Sequence, residues 1–232
     1  MKTRIQTVLA AALLGITSLA GAQTLLNVSY DVAREFYKDY NAAFVAHYKK
    51  TTGKDVKIDQ AHGGSSAQAR AVNDGLEADV VTMNTTTDID FLAGTGVVAK
   101  DWTKRFPHNA SPTSSTMLFL VRNGNPKGIK DWDDLLKPGI EVVTPSPLSS
   151  GSAKWNLLAP YAAKSNGGKD AQAGIDYVTK LVTEHVKTRP GSGREATDVF
   201  LQGTGDVLIS YENEAINVER QGKDVEHVNP PQ

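Results

Sequence analysis

Four times this chain passes from a short extended run through a turn of Gly, Ser or Asp into a helical pattern. The junctions are Tyr30-Asp31-Val32, HGGSSAQA at 62–69, SSGSAKWN at 149–156 and GSGREATD at 191–198. Strand-to-helix alternation of this kind predicts an α/β fold, with each junction at the carboxyl end of a strand. A helix start leaves its first backbone N–H groups without intrahelical acceptors and carries partial positive charge. Glycine admits close approach to that backbone, and serine adds a hydroxyl donor. Those are the parts of an anion cradle. The same residues are also ordinary helix caps, and α/β chains repeat such junctions by construction. The residues alone leave both readings open: a shared anion site, or a set of independent caps.

Around the junctions, a strand over 25–30 leads into a helix from Val32. On that helix Val32, Phe36, Tyr40, Phe44 and Tyr48 recur every fourth residue on one face. Gly53 is placed to end it in a left-handed cap. Further strands are predicted at 56–59, 78–83, 116–121, 140–144 and 206–211. Helices are predicted to Leu76 after HGGSS, over 131–136 with Asp131 as cap, from Ala153, over 169–186 and from Arg194. The Pro-, Ser- and Asn-rich stretch at 105–115 precedes the strongest strand pattern, TMLFLV, and marks a crossing between two lobes. The predicted division is a leader at 1–22, a first α/β lobe at 23–112, a second at 113–229 and the start of a return segment at 230–232. The final VEHVNPPQ is read as lacking a closing element.

Lys2 and Arg4, the apolar run at 8–14 and Ala20-Gly-Ala22 have the order of a cleavable secretory signal. That predicts a soluble exported protein, most simply periplasmic. The chain has no Cys, so its stability must come from a core rather than disulfides. Its 25 Lys+Arg and 26 Asp+Glu are interspersed, which gives no footprint for nucleic acid. His47, His62, His108, His185 and His227 are too scattered for metal-ligand spacing and read as surface or capping residues, so neither a metal nor a cofactor is expected. G-x-S-x-G is absent and GSGREAT lacks the P-loop lysine. The acids Asp133-Asp134 and Glu212/Glu214 read as solvated surface. Binding, not catalysis, is indicated.

LLNVSYD, HGGSSAQARAV, LEADVVT, FLVRNGNPKGIKDWDDL, GDVLISYENEA and the Ser-Gly turn before Trp155-Asn156 together resemble the periplasmic sulfate- and thiosulfate-binding proteins of ABC importers. The resemblance runs from about Leu25 to the last residue. It implies a two-lobed periplasmic-binding-protein type II fold, monomeric, closing on one tetrahedral oxyanion and delivering it to a membrane ABC permease. It implies ligand contacts from the Asp31 N–H, the Ser65 N–H and hydroxyl, the turn Ser150, Gly151 and Ser152, the Gly193 N–H, and Tyr211 where many members carry tryptophan. The Asp31 carboxylate is expected to cap its own helix, and Glu195 to complement a helix dipole. Tyr211 and the string VVTMNTTTDI lean toward thiosulfate. Members of that family continue further, returning to complete the first lobe; against them the first lobe here is incomplete, and weak closure is expected. The alternatives are another oxyanion such as molybdate or phosphate, an anion-dependent hydrolase or transferase with a base near Ser65 or Ser150, and a non-functional remnant.

Overall fold

The computed structural model describes residues 23–231, so the leader predicted at 1–22 lies outside the described residues. β1 (Gln23–Tyr30), β2 (Val56–Gly63) and β3 (Val80–Thr82) form a parallel sheet in the order β2-β1-β3. A 3-10 turn at Asp31–Ala33 runs into α1 (Arg34–Thr52), α2 (Ser65–Asn73) follows β2, and α3 (Thr86–Gly94) follows β3. Gly53 ends α1 with φ 72° and its N–H on the Lys49 carbonyl, the left-handed cap that its position predicts. After the one-turn α4 (Pro107–Ala110), where His108 and Asn109 are left-handed, the chain enters a second sheet.

That sheet contains β4 (Met117–Arg122), β5 (Val142–Val143), β6 (Val186–Thr188), β7 (Val207–Tyr211) and β8 (Val225–Val228), in the order β6-β5-β7-β4-β8. β5 runs parallel to β6 and β7, whereas β4 is antiparallel to β7 and β8. The helices α5 (Gly151–Lys164), α6 (Ala171–Lys180), α7 (Gly193–Leu201) and α8 (Glu212–Arg220) cover it. Both faces of β4 are buried, which is why its sequence is a continuous apolar run. Phe119 and Val121 enter one core with Trp132, Leu135, Tyr177 and Leu181. Leu118 and Leu120 enter the other with Phe200, Leu208, Ala215 and Val218. Phe119 meets Trp132 edge-to-face at 4.8 Å. The 3-10 helix Trp132–Leu136 starts with a reciprocal Asp131/Asp134 capping box, so Asp134 serves backbone N–H groups rather than solvent alone.

Several expectations are corrected. VEHV, to which the sequence assigns no element, is β8 of the second sheet, paired with β4 from Phe119↔Val228 to Arg122↔Val225, and Trp132 Nε1 donates to the Pro231 carbonyl at 3.1 Å. Four residues without a local turn give no periodicity to read, and the pairing is distant in sequence. The helix predicted over 169–186 gives way after Lys180 to a π-turn at Leu181–His185, and Val186 belongs to β6. His185 is a buried residue with Nδ1 on the Ile140 carbonyl at 3.0 Å, not a surface histidine. The first-lobe core is small, centred on Val28, Ala69, Val72 and Leu92. Phe36 and Tyr40 stack on each other with ring centroids 5.6 Å apart, yet remain 46% and 52% exposed.

The two-face burial of β4 makes the second lobe the dominant source of cohesion. Phe119→Ala is expected to cost about 3–5 kcal/mol in denaturant unfolding, and Phe36→Ala only about 0.5 kcal/mol.

Candidate functional site at the lobe boundary

The four junctions meet. Gly64, which precedes α2, lies so close to the second lobe that a Cβ there would stand 2.5 Å from the Ser149 carbonyl oxygen and 2.8 Å from that of Gly191. A Cβ at Gly151 would stand 2.7 Å from Asn84 Cβ and 2.9 Å from Ser65 Cβ. At Gly193 it would stand 2.9 Å from both Ser152 Oγ and Val32 Cγ2. Real Cβ atoms do not approach so closely, so glycine is required at Gly64 and Gly151 for these turns to touch. The starts of the first 3-10 turn, α2, α5 and α7 thus converge from two sheets, each beyond the carboxyl end of a strand.

Hydrogen bonds hold the boundary together. Ala67 N–H donates to the Ser149 carbonyl at 3.1 Å, and Arg70 Nη2 to that of Leu148 at 2.9 Å. Ser149 Oγ donates to the Gly191 carbonyl at 2.6 Å, joining the two second-lobe turns. Trp155 Nε1 and the Tyr211 hydroxyl both donate to Asn84, to its backbone oxygen at 3.3 Å and its side-chain oxygen at 2.8 Å. The lobes are in contact through backbone and side chains alike. Beside the junctions a cleft of about 760 Å³ runs between the lobes, bordered by Tyr30, Val32, Asn84, Trp155, Tyr211 and the crossing segment 111–115.

Each predicted residue can now be placed. Ser65, Ser150 and Ser152 are buried at helix starts, and Gly151 lies between the two lobes. Among the described residues, the N–H groups of Ser65, Gly151, Ser152 and Gly193 have no loop or side-chain acceptor. The Ser65 hydroxyl departs from expectation. It donates to Asp88 Oδ2 at 2.7 Å and accepts the Asn84 N–H at 2.8 Å, so its proton is committed within the first lobe. Ser150 and Ser152 share one hydroxyl hydrogen bond of 2.8 Å, which leaves one hydroxyl proton of the pair to donate elsewhere. The Tyr211 proton goes to Asn84; burial pushes this phenol far above its ordinary range, so it stays neutral.

The Asp31 carboxylate is not confined to its own helix. It interacts with its own N–H, and its Oδ2 also accepts the Arg194 N–H at 3.2 Å, in the first turn of α7 on the other lobe. The contact between lobes brings that amide, at the positive end of a helix, within reach. Burial raises the Asp31 carboxyl above its usual range, against opposing hydrogen bonds from Ser192 and the Arg194 amide. Glu195 behaves as expected of an acid in a first turn. Its Oε2 accepts the Gly191 N–H at 2.8 Å, while its own N–H donates to the N-cap Ser192 hydroxyl at 3.2 Å.

Among the described residues, two ion pairs cross the boundary. Lys154 of α5 reaches the buried Asp88 of α3 at 2.8 Å. Burial opposes charge on Asp88, but Lys154 and the Ser65 and Ser66 hydroxyls outweigh it and hold the carboxyl below its usual range. Arg194 Nη1 meets Glu35 Oε1 of α1 at 2.9 Å. Glu214, read as solvated surface, is fully buried with neither oxygen in a well-formed hydrogen bond. It faces inward because α8 begins directly at Tyr211, turning its first-turn acid into the boundary.

Sequence reasoning missed Gly64, Asn84, Asp88 and Ser192. Gly64 is in HGGSS and could have been found as the close-approach glycine. Asn84 and Asp88 carry no local signal, because they matter only through contacts with the other lobe. His62, the first residue of HGGSS, bonds to Ser29 Oγ at 2.7 Å in register with it on β1, and so serves the sheet.

The comparisons with known proteins agree with this architecture. The family profile described as bacterial extracellular solute-binding protein matches residues 27–232. The sulfate-binding protein of Salmonella typhimurium is 48% identical over 215 residues, 91% of this chain and 65% of that protein. The thiosulfate-binding protein of Pseudomonas aeruginosa is 47% identical over 224 residues, 95% of this chain and 67% of that one. The chain thus spans about two thirds of the length of these relatives. Among solved structures, the sulfate-binding protein SubI from Mycobacterium tuberculosis superposes with a TM-score of 0.84 at 56% identity, covering 90% of this chain and 72% of that one. A two-sheet α/β architecture with helix starts converging at the lobe boundary, and this breadth of match, place the chain in the bacterial extracellular solute-binding protein family.

Proposed function

We propose that this protein binds sulfate or thiosulfate in the crevice between its lobes, outside the cytoplasmic membrane, and presents it to an ABC permease. The observation that carries this reading is the convergence of helix N-termini from both lobes through glycines that leave no room for a Cβ. Its ligand donors are the N–H groups of Asp31, Ser65, Gly151, Ser152 and Gly193 with the spare hydroxyl proton of the Ser150/Ser152 pair. None carries a formal charge, and the neighbouring Lys154 and Arg194 are neutralised by Asp88 and Glu35. Tyr211 acts through Asn84, holding it in place between the lobes. The relatives named for sulfate and thiosulfate support the choice of a sulfur oxyanion. The leader at 1–22 directs export, and the chain works as a monomer.

The state of the hydroxyls supports binding rather than turnover. Ser65 bonds to a carboxylate whose charge Lys154 holds, and Ser150 bonds to Ser152, so neither has a histidine base. A donor-only cradle also discriminates. Sulfate is a pure acceptor, whereas hydrogen phosphate brings a proton that needs an acceptor, and an unmatched buried polar group costs about 1–3 kcal/mol.

Isothermal titration is expected to show one site for sulfate or thiosulfate with affinity at least about tenfold above phosphate. Equal binding of phosphate would mean that a carboxylate such as Asp31 accepts its proton, and no binding of either sulfur anion would refute the reading. Gly64→Ala forces a methyl group against two second-lobe carbonyls. It is expected to weaken anion binding by more than about tenfold while leaving the circular-dichroism spectrum unchanged, since the clash is relieved by parting the lobes.

A further inference from the structure

Glu214 has no exposed surface, and neither of its carboxylate oxygens has a well-formed hydrogen bond; the Thr197 hydroxyl beside it lowers its pKa but donates to the Gly193 carbonyl at 3.2 Å. The nearest cation is Arg194, with Nη1 3.9 Å from Glu214 Oε1. That nitrogen is closer to Glu35 Oε1, 2.9 Å away on the other lobe, and Arg194 Nε pairs with Asp198 at 3.2 Å. Asp31 approaches from the same side to take the Arg194 N–H, and the second oxygen of Glu35 is buried without a partner. Three carboxylates, those of Glu214, Glu35 and Asp198, therefore face one guanidinium, and Asp31 adds a fourth negative charge on the backbone side with Arg34 as the cation acting on it. Tyr30 and Tyr211 add no positive charge, and burial together with Arg34 lowers the His62 imidazole that faces Asp31 and Glu35, which disfavours its cationic form. Excess negative charge in a buried contact is costly, and a proton on the most buried acid is the cheapest relief.

Only the closed arrangement has this excess. When the lobes part, Glu35 and Asp31 leave with the first lobe, Arg194 is free to serve Glu214, and water gains access to the carboxyl. Both changes favour the ionised form, and closure reverses both. We propose that Glu214 is a positioning residue for anion capture: it takes up one proton as the lobes close, releasing Arg194 to hold Glu35 and seat the adjacent Gly193 N–H at the cradle. This inference rests on the reading that the crevice closes over a sulfur oxyanion. The proton comes from solvent and returns to it on opening, so nothing is consumed. Burial, against the attraction of Arg194, pushes the Glu214 carboxyl up to about 7 in the closed form, which places the linkage between the ordinary carboxylate range and neutrality.

The test is calorimetric titration of the full chain with sulfate between about pH 5 and 8, in buffers of different ionisation enthalpy. Sulfate stays fully ionised over this range. Expected are uptake of up to one proton per anion bound and affinity that falls as pH rises, by no more than about tenfold per unit. Glu214→Gln should flatten the profile. Glu35→Gln, which relieves one acid without touching Glu214, should weaken binding and reduce the uptake. A wild-type profile that is flat, or one that survives Glu214→Gln, overturns the proposal.

Unfolding of the sulfate-saturated protein reads the proton in a second way. A carboxyl with a usual value of 4.5 that rises to about 7 in the closed form makes stability fall as pH increases between those values, because the unfolded chain releases its proton first. In saturating sulfate the wild-type unfolding midpoint should therefore decline across that window relative to Glu214→Gln. Parallel midpoints in saturating sulfate would overturn the proposal even if anion binds. Absence of binding by sulfate and thiosulfate at every pH would instead remove the anion reading and the linkage built on it.

Discussion

Backbone lying directly on backbone is the constraint from which the rest of the structure follows. Gly64 rests against the carbonyls of Ser149 and Gly191, and Gly151 against Ser65 and Asn84. These approaches bring the first turns of helices from two sheets into one small volume. A helix start offers partial positive charge and unpaired N–H groups but no formal charge. In the proposed function, these starts are the surface that a dianion uses without a salt bridge. The side chains around it perform a separate task, because they fix the distance between the lobes.

The formal charges at the boundary follow the same division. Lys154 and Asp88 cross the lobes, as do Arg194 and Glu35. Each pair links a helix of the first lobe to the helix that supplies second-lobe amides, so charge is spent on joining elements rather than on contacting a ligand. A partly buried pair gains from the lowered dielectric, and removing one partner leaves the other uncompensated. Around Arg194 the acids outnumber the cations, which makes that joint sensitive to protons, whereas the Lys154–Asp88 joint is satisfied by two serine hydroxyls.

The second lobe carries most of the cohesion and the first lobe most of the exposed aromatic surface. β4 is buried on both faces and locked between β7 and β8, so that every residue of its central run belongs to one of two cores. The three-stranded first sheet has a much smaller buried centre, and Phe36 and Tyr40 of α1 cover each other rather than a neighbouring element. The precision of the crevice on that side depends on the interlobe contacts as well as on the sheet.

Local pattern in the sequence determined the α/β class, most strands and helices, the left-handed cap at Gly53, the Asp131 cap and the four junctions. Each of these is encoded by residues within a few positions of one another. The run TMLFLV announced a buried strand for the same reason. Tertiary structure alone decided where polar side chains turn. Asp31 reaches the facing lobe's helix, the Ser65 hydroxyl serves Asp88, Glu214 is buried, and VEHV becomes an edge strand. In each case the partner lies far along the chain, and a polar group takes the best-placed acceptor, donor or cation that folding brings to it. Sequence spacing carries no record of that choice.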